Sequence, residues 1–318
     1  MITYILFLAG FFILIKGAGM LVDGSASIAK KMNISSIVIG LTIVAFGTSA
    51  PEFVVNMFAS VQGNSDIAIG NILGSNIANI LIILGFAAII YPITANKNTV
   101  LKEIPLSLLA AIVLGLMAND NIIDGGTFSV ITRIDGFILL AFFIIFLYYT
   151  FGITKSGDDI VEEEIKIMSY SKSIIYIILG LAGLIIGGKW IVDGAVKIAE
   201  LFNISQSLIG LTIVAVGTSL PELATSAVAA YKKQSDIAIG NAVGSNIFNI
   251  FWILGVSAIV RPLPFNKDSN VDIAMTIFAS IVLIAFMHIG KKRVIERWQG
   301  IIMVLLYVGY IIFLVMTK

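Results

Sequence analysis

Long apolar runs separated by short polar breaks make up most of this 318-residue chain. Ten of them can be marked, near residues 2–22, 34–61, 66–92, 102–118, 134–152, 173–192, 204–231, 236–260, 271–288 and 298–316. Each is on the order of 20 residues, the length that carries an α-helix across a hydrocarbon core. The pattern therefore predicts an all-α membrane protein of ten transmembrane helices. The first run lacks a basic leading segment and a small-residue cleavage pattern, so it is expected to stay as the first helix rather than act as a signal peptide. Composition agrees: 58% of residues are hydrophobic and 12% charged, with a mean hydropathy of +1.04, outside the range of soluble domains. The lipid bilayer is the expected partner of most of the surface. The absence of cysteine excludes a disulfide framework and thiolate metal sites, and a net charge of +1 gives no argument for nucleic acid.

Within this pattern lies a duplication. Residues 17–80 align without a gap on 187–250 at an offset of 170, with 35 of 64 positions identical. "VDG" recurs at 22–24 and 192–194, "IGLTIVA" at 39–45 and 209–215, "SDIAIGN" at 65–71 and 235–241, and "GSNI" at 74–77 and 244–247. Five spans per half start the second copy on the opposite side of the membrane, so the halves are expected to be inverted repeats. Loop charges agree. With both termini outside, thirteen Lys and Arg fall in inner loops and five in outer segments, the bias of the positive-inside rule. Lys30 and Lys31 align with Glu200 and Leu201, while Lys232 and Lys233 align with Gln62 and Gly63, so the duplicated sequence has switched its charged end. The division is thus 1–152 for the first five-helix repeat, 153–172 for a cytoplasmic linker and 173–318 for the second, inverted repeat. The linker's acidic residues, Asp158 to Glu164, read as a solvated spacer rather than a cation sensor.

The candidate chemistry lies in "GTSAPE" at 47–52 and "GTSLPE" at 217–222. Pro51 and Pro221 remove a backbone N–H and leave the carbonyls of Gly47 and Gly217 without helical partners, so both helices are expected to break there. Broken backbone at membrane depth is tolerated where protein or a water-filled cavity supplies partners. Around the breaks every polar side chain is an oxygen ligand: Thr48, Ser49 and Glu52, then Thr218, Ser219 and Glu222. Ser75 and Asn79, like Ser245 and Asn249, are four apart and share a helix face. A charge at the bilayer centre costs about 2.5–3.5 kcal/mol even on mild scales, and no Lys or Arg lies within the same spans to offset two glutamates. An all-oxygen site with a charge near −2 suits hard cations, Ca²⁺ especially, with Na⁺ using subsets of the same oxygens. The serines and asparagines can equally serve as interhelical hydrogen-bonding glue. Glycines at 40, 47, 70 and 74, and at 210, 217, 240 and 244, allow close helix contacts that rock or slide.

The paired "GTSAPE"/"GTSLPE" with "GSNIANI"/"GSNIFNI" resembles the two alpha repeats of the Ca²⁺:cation antiporter superfamily, in particular prokaryotic Na⁺/Ca²⁺ exchangers. The likeness implies a secondary active antiporter, not an enzyme, that works by alternating access and uses no cofactor beyond its transported Ca²⁺ and Na⁺. It implies that Glu52 and Glu222 bind both ions, helped by Thr48, Ser49, Thr218, Ser219, Ser75 and Ser245, with Asn79 and Asn249 lining the site and backbone carbonyls near Ala45 and Ala215 joining them. At Asn249 the K⁺-dependent branch carries Asp, which favours K⁺ independence here. The large cytoplasmic regulatory domain of animal exchangers is absent, and no obligatory protein partner is implied; a prokaryotic plasma membrane is the expected location. H⁺/Ca²⁺ or other divalent exchange stays open, as does, from another class, a Na⁺-coupled symporter or a cation channel. Asp23 and Asp193 read as interfacial aspartates ending their helices, and Asp66 and Asp236 as first-turn carboxylates complementing helix dipoles.

Overall fold

The computed structural model describes residues 2–123, 125, 129–153, 167–201 and 215–317. The chain is almost entirely helical. Its main helices are α1 (Ile2–Met32), α2 (Ser36–Thr48), α3 (Ala50–Gln62), α4 (Ser65–Ile90), α5 (Thr99–Met117), α6 (Arg133–Ile153), α7 (Tyr170–Leu201), α8 (Ala215–Thr218), α9 (Leu220–Tyr231), α10 (Ser235–Val260), α11 (Lys267–Phe286) and α12 (Arg297–Thr317). Among the described residues, eight are long and apolar enough to cross a membrane, and the bent pair α2–α3 makes a ninth span. Of the expected span at 204–231, residues 204–214 lie outside the described residues; α8 and α9 are its described part. The acidic stretch of the expected linker, within 154–166, also lies outside them.

Pro51 stands in the first turn of α3, and Ser49 just before it has φ −80° and ψ 7°, which takes the backbone out of the helix. A proline there needs no N–H partner, but its ring cannot continue the preceding helix, and the chain turns by 48°. The sequence expectation of a break at each signature is met at Ser49 and again at Ser219, whose φ and ψ are −89° and 5°.

Glycine contacts show how the halves are put together. A Cβ on Gly10 would lie 2.9 Å from the carbonyl oxygen of Gly187, one on Gly17 2.8 Å from that of Gly180, and one on Gly24 2.7 Å from that of Ser173. Numbers rise on α1 as they fall on α7, so the two helices are antiparallel and touch backbone to backbone. Shifted by the repeat offset, the Gly10–Gly187 contact becomes Gly180–Gly17, so the seam is its own image. Further close crossings bring Gly40 to Gly240, Gly85 to Gly300 and Gly136 to Gly255. Without a hydrophobic force between helices in lipid, such close van der Waals contact is what holds spans together.

Four two-residue strands tie the rims. Ile93–Thr94 (β1) pairs antiparallel with Val294–Ile295 (β4), and Val130–Ile131 (β2) with Leu263–Pro264 (β3). The fold is therefore two inverted halves sharing one interface. Charged side chains segregate along it. One end gathers Lys31 over the Tyr170 ring, Lys233 over the Tyr91 ring, and Arg297 on the Ile90 carbonyl. The other end holds Arg133 on the carbonyl of Ile259 and Arg261 on that of Val61.

Two boundaries differ from the hydropathy pattern. The run at 2–22 extends to Met32 and that at 173–192 becomes Tyr170–Leu201. Asp23 therefore does not end its helix; it lies within α1 and pairs with Lys232 at 2.6 Å, which also donates to the Gly19 carbonyl at 3.0 Å. Ser25 and Ser27, further along α1, are fully buried, with Ser27 Oγ accepting from Met168 N and from Ser173 Oγ where the chain returns to begin α7.

Gly17→Val is expected to force α1 and α7 apart and to lower stability by about 1–3 kcal/mol, the usual range for overpacking. Gly309→Ala, whose added Cβ meets nothing within 4 Å, is expected to be neutral. Thermal unfolding of the purified variants in detergent checks both.

Candidate ion-binding site

The site is built where the two broken helices restart. Glu52 and Glu222 occupy the first turns of α3 and α9 and are both 0% exposed. Placing a carboxylate at a helix N-terminus sets it against the positive end of the macrodipole. The serine of each signature then reaches across to the other half. Ser49 Oγ donates to Glu222 Oε1 at 2.9 Å, and Ser219 Oγ lies 3.2 Å from Glu52 Oε1. Ser75 Oγ, on α4, is 3.5 Å from the same Glu52 oxygen and 3.3 Å from Ser219 Oγ. Thr218 also borders Glu52, while Thr48 and Ser245 border Glu222.

A wall of asparagines closes the centre, and its hydrogen bonds fix which way each amide points. Asn76 Nδ2 donates to the backbone carbonyl of Asn246, and Asn246 Nδ2 to that of Asn76, both at 3.2 Å. A carbonyl can only accept, so the Oδ1 atoms of these two residues must be acceptors. Asn249 Nδ2 accordingly donates to Asn76 Oδ1 at 2.9 Å and Asn79 Nδ2 to Asn246 Oδ1 at 3.0 Å. The amide nitrogens of Asn79 and Asn249 are thereby engaged, and their oxygens are left over. Asn79 opens a π-helical turn at 79–84 and Asn249 sits in the matching one at 248–254; such turns admit one extra residue and shift the phase of the side chains.

What remains is a set of buried oxygens without protein partners: Glu52 Oε2, Glu222 Oε2, Asn79 Oδ1, Asn249 Oδ1 and Ser245 Oγ. Buried polar atoms are rarely left in this state, and buried carboxylates are costlier still. Neither glutamate forms an ion pair among the described residues. Two carboxylates, two amide oxygens and neighbouring hydroxyls make an all-oxygen donor set, which fits hard cations such as Ca²⁺ and Na⁺ and does not fit soft metals.

Of the residues expected from the sequence, Glu52, Glu222, Ser49, Ser219, Ser75, Thr48, Thr218, Ser245, Asn79 and Asn249 thus converge on one region. Ala45 differs: its carbonyl accepts the Ser49 N–H at 3.0 Å and lies 3.3 Å from Thr48 Oγ1, so it is already engaged. Ala215 begins α8. Four asparagines were not among the expected residues. Besides Asn76 and Asn246, Asn71 Nδ2 donates to the Glu52 carbonyl at 3.4 Å and Asn241 Nδ2 to the Glu222 carbonyl at 3.2 Å. Asn241 also accepts from Thr48 Oγ1 at 2.9 Å. They hold the main chain of the two glutamates. Their signal was present: Asn71, Ser75 and Asn79 recur every four residues on one helix face, as do Asn241, Ser245 and Asn249.

Comparison with known proteins bears on the whole chain. The family model described as "Sodium/calcium exchanger protein" matches residues 2–152 and 172–316. The sodium/calcium exchanger MaX1 of Methanosarcina acetivorans is 32% identical over an alignment 347 positions long that covers 98% of each chain. The inner membrane protein YrbG of Escherichia coli K12 is 33% identical over 325, covering 98% of this chain and 95% of its own. A solved structure of the sodium-calcium exchanger NCX_Mj soaked with Na⁺ and Ca²⁺ matches with a TM-score of 0.84 at 37% identity, over 98% of each chain.

Asn76→Ala removes the acceptor of Asn249 Nδ2 and the donor to the Asn246 carbonyl, leaving buried groups unpaired. The expected cost is about 1–3 kcal/mol, together with a smaller protective effect of Ca²⁺ against heat. Melting curves in detergent with and without Ca²⁺ check both.

Proposed function

Because the chain belongs to the sodium/calcium exchanger family, we propose that it exchanges Na⁺ for Ca²⁺ at the site between Glu52 and Glu222. The observation that carries this reading is the group of unpartnered buried oxygens drawn from both halves. Glu52, Glu222, Asn79, Asn249 and Ser245 supply oxygens with no other partner. Thr48, Ser49, Thr218, Ser219 and Ser75 add hydroxyl lone pairs, since a hydroxyl that donates to a carboxylate or amide still has oxygen lone pairs to offer. The carbonyls of Ala45 and Ala215 are further donors; Ala45 serves best if Thr48 turns away from it.

Exchange, rather than leak, follows from the charge. An empty site holds two carboxylates with no cationic side chain among the described residues to offset them, and carrying these through a dry intermediate costs several kcal/mol. A bound Ca²⁺, or Na⁺ ions in its place, removes that cost. Only the loaded protein changes sides readily, so movement of one ion depends on return of the other. The motion is a rocking of one half against the other along the glycine seams, with the site opening alternately to each face.

Asn249 gives this site an amide where a third carboxylate would favour K⁺, so transport is K⁺-independent. Both termini lie outside, with the end bearing Lys31, Lys97, Lys232 and Lys233 in the cytoplasm of a prokaryotic cell. The repeats comprise 1–152 and 173–318, joined by the cytoplasmic linker 153–172, and no protein partner is required.

The test is uptake of ⁴⁵Ca²⁺ by Na⁺-loaded proteoliposomes on dilution into Na⁺-free buffer. Uptake is expected to require the outward Na⁺ gradient, to be indifferent to K⁺, and to fall at least about tenfold in Glu52→Gln and in Glu222→Gln, a loss corresponding to roughly 1.4 kcal/mol or more. Uptake driven by a proton gradient alone would replace this reading with H⁺/Ca²⁺ exchange.

A further inference from the structure

An ion pair joins the two halves at the end that gathers Lys31 and Lys233, and the repeat does not supply it again at the other end. Asp23, within α1, pairs with Lys232 at 2.6 Å, and the same ammonium donates to the Gly19 carbonyl, one turn earlier, at 3.0 Å. Lys232 directly follows α9, where its backbone N–H still bonds the Val228 carbonyl, so its stem is anchored to the helix that carries Glu222. The side chains of Lys232 and Asp23 are 28% and 45% exposed, within reach of water. At the repeat offset Asp23 becomes Asp193 and Lys232 becomes Gln62, both exposed. The duplicated sequence kept the carboxylate and changed the residue that faces it.

The helices around the pair are asymmetric in the same sense. α1 packs along α9, whereas their images α7 and α3 make no comparable contact among the described residues. The seam between α1 and α7 is its own image, yet its seating on the rest of the molecule is not. A Cβ on Gly47 would meet the Leu181 side chain and one on Gly217 that of Val192, both on α7; repeat symmetry would set Val22 of α1, not Leu181, against Gly47. The molecule is thus closed between α1 and α9 and apart between α7 and α3. Inverted halves of like sequence can exchange such arrangements. In the exchanged state α1 stands as far from α9 as α7 now stands from α3, and Asp23 has left Lys232. The ion pair belongs to one of the two states.

We propose that Asp23 and Lys232 form a one-sided latch, which favours the state closed at their end of the molecule over the state closed at the other. The proposal rests on the alternating motion of the exchange reading. When the opposite end closes, Gln62 offers Asp193 an amide without an opposite charge, so the two closures differ in energy although the helices that make them are images. Partial exposure keeps the difference small, since water screens the pair. It tilts the equilibrium and leaves both states within reach, which a transporter requires. The molecule at rest then presents its ion site to the face away from Lys232.

The absence of cysteine lets two reporters be introduced on an otherwise unchanged chain. Met32→Cys and Tyr231→Cys, at the exposed ends of α1 and α9, are spin-labelled in the full chain in nanodiscs. The distance between the labels is read by pulsed electron resonance in buffer free of Na⁺ and Ca²⁺. A major short and a minor long population are expected. Lys232→Gln, which installs the residue of the image position, and Asp23→Asn are each expected to raise the ratio of long to short roughly three- to fivefold, as suits a partly exposed pair. Asp23→Asn/Lys232→Gln is expected to do no more than either change alone, and the reversed pair Asp23→Lys/Lys232→Asp to bring the ratio back towards the original, which a misfolded protein does not do. Unchanged distances in both single variants, or single effects that add in full in the double variant, overturn the latch. Uptake of ⁴⁵Ca²⁺ by the same proteins separates the two readings. Unchanged distances with intact Na⁺-driven uptake sink the latch alone; the expected shifts in a protein whose vesicles show no such uptake sink the exchange of Na⁺ for Ca²⁺ and leave the two-state latch standing.

Discussion

Two carboxylates fully buried in the middle of a membrane protein, with no cationic side chain among the described residues to meet them, set the terms for the rest of this structure. Even the mildest scale charges about 2.5–3.5 kcal/mol for each such group at the bilayer centre. The protein offsets part of that with donors to one oxygen of each glutamate: Ser49 to Glu222, and Ser219 with Ser75 to Glu52. It leaves the other oxygen unpartnered. A site that is half satisfied by protein and half open is poised for an ion, since the remaining cost is removed only when a cation arrives.

Because the signature serines Ser49 and Ser219 each serve the glutamate of the opposite half, neither half can hold a finished site alone. The asparagines repeat the same device. Asn76 and Asn246 bond each other's main chain, and through them Asn79 and Asn249 are turned so that oxygen, not nitrogen, is spare. This precision at the centre needs helices that approach more closely than side chains normally allow. The contacts Gly10–Gly187, Gly17–Gly180 and Gly40–Gly240 supply that approach and leave smooth surfaces along which one half can move on the other. Dense hydrogen bonding at the site and bare backbone contact at its flanks thus divide rigidity from motion.

Much of this was legible in the sequence because duplication doubles the signal. One glutamate after a proline in an apolar run is ambiguous; two, set 170 residues apart in inverted halves, mark a shared site. The family likeness rests on the same strings. What the sequence concealed was of two kinds. Hydropathy stopped α1 near residue 22, because Asp23 reads as the end of a helix; in the structure Ser27 is bonded to Met168 and Ser173 at the start of α7 and Asp23 is paired with a lysine from the other half. Such long-range satisfaction of polar residues cannot be read from local periodicity. The supporting asparagines at 71, 76, 241 and 246 were visible as letters in the repeated strings, yet their purpose lies in bonds to backbone carbonyls, within a half for Asn71 and Asn241 and across the interface for Asn76 and Asn246, which only the fold specifies. The count of ten spans rests on the sequence for the stretch at 202–214.

The central claim is that a single cation is held jointly by both halves, between Glu52 and Glu222. The most direct measurement is an anomalous difference map from crystals soaked in Sr²⁺, a hard divalent ion that stands in for Ca²⁺. The account predicts a peak bonded to Glu52 Oε2 and Glu222 Oε2 at close to the oxygen distances of Ca²⁺ sites, about 2.3–2.6 Å. A map with no peak between the two glutamates, or with one bound to only one half, would contradict it.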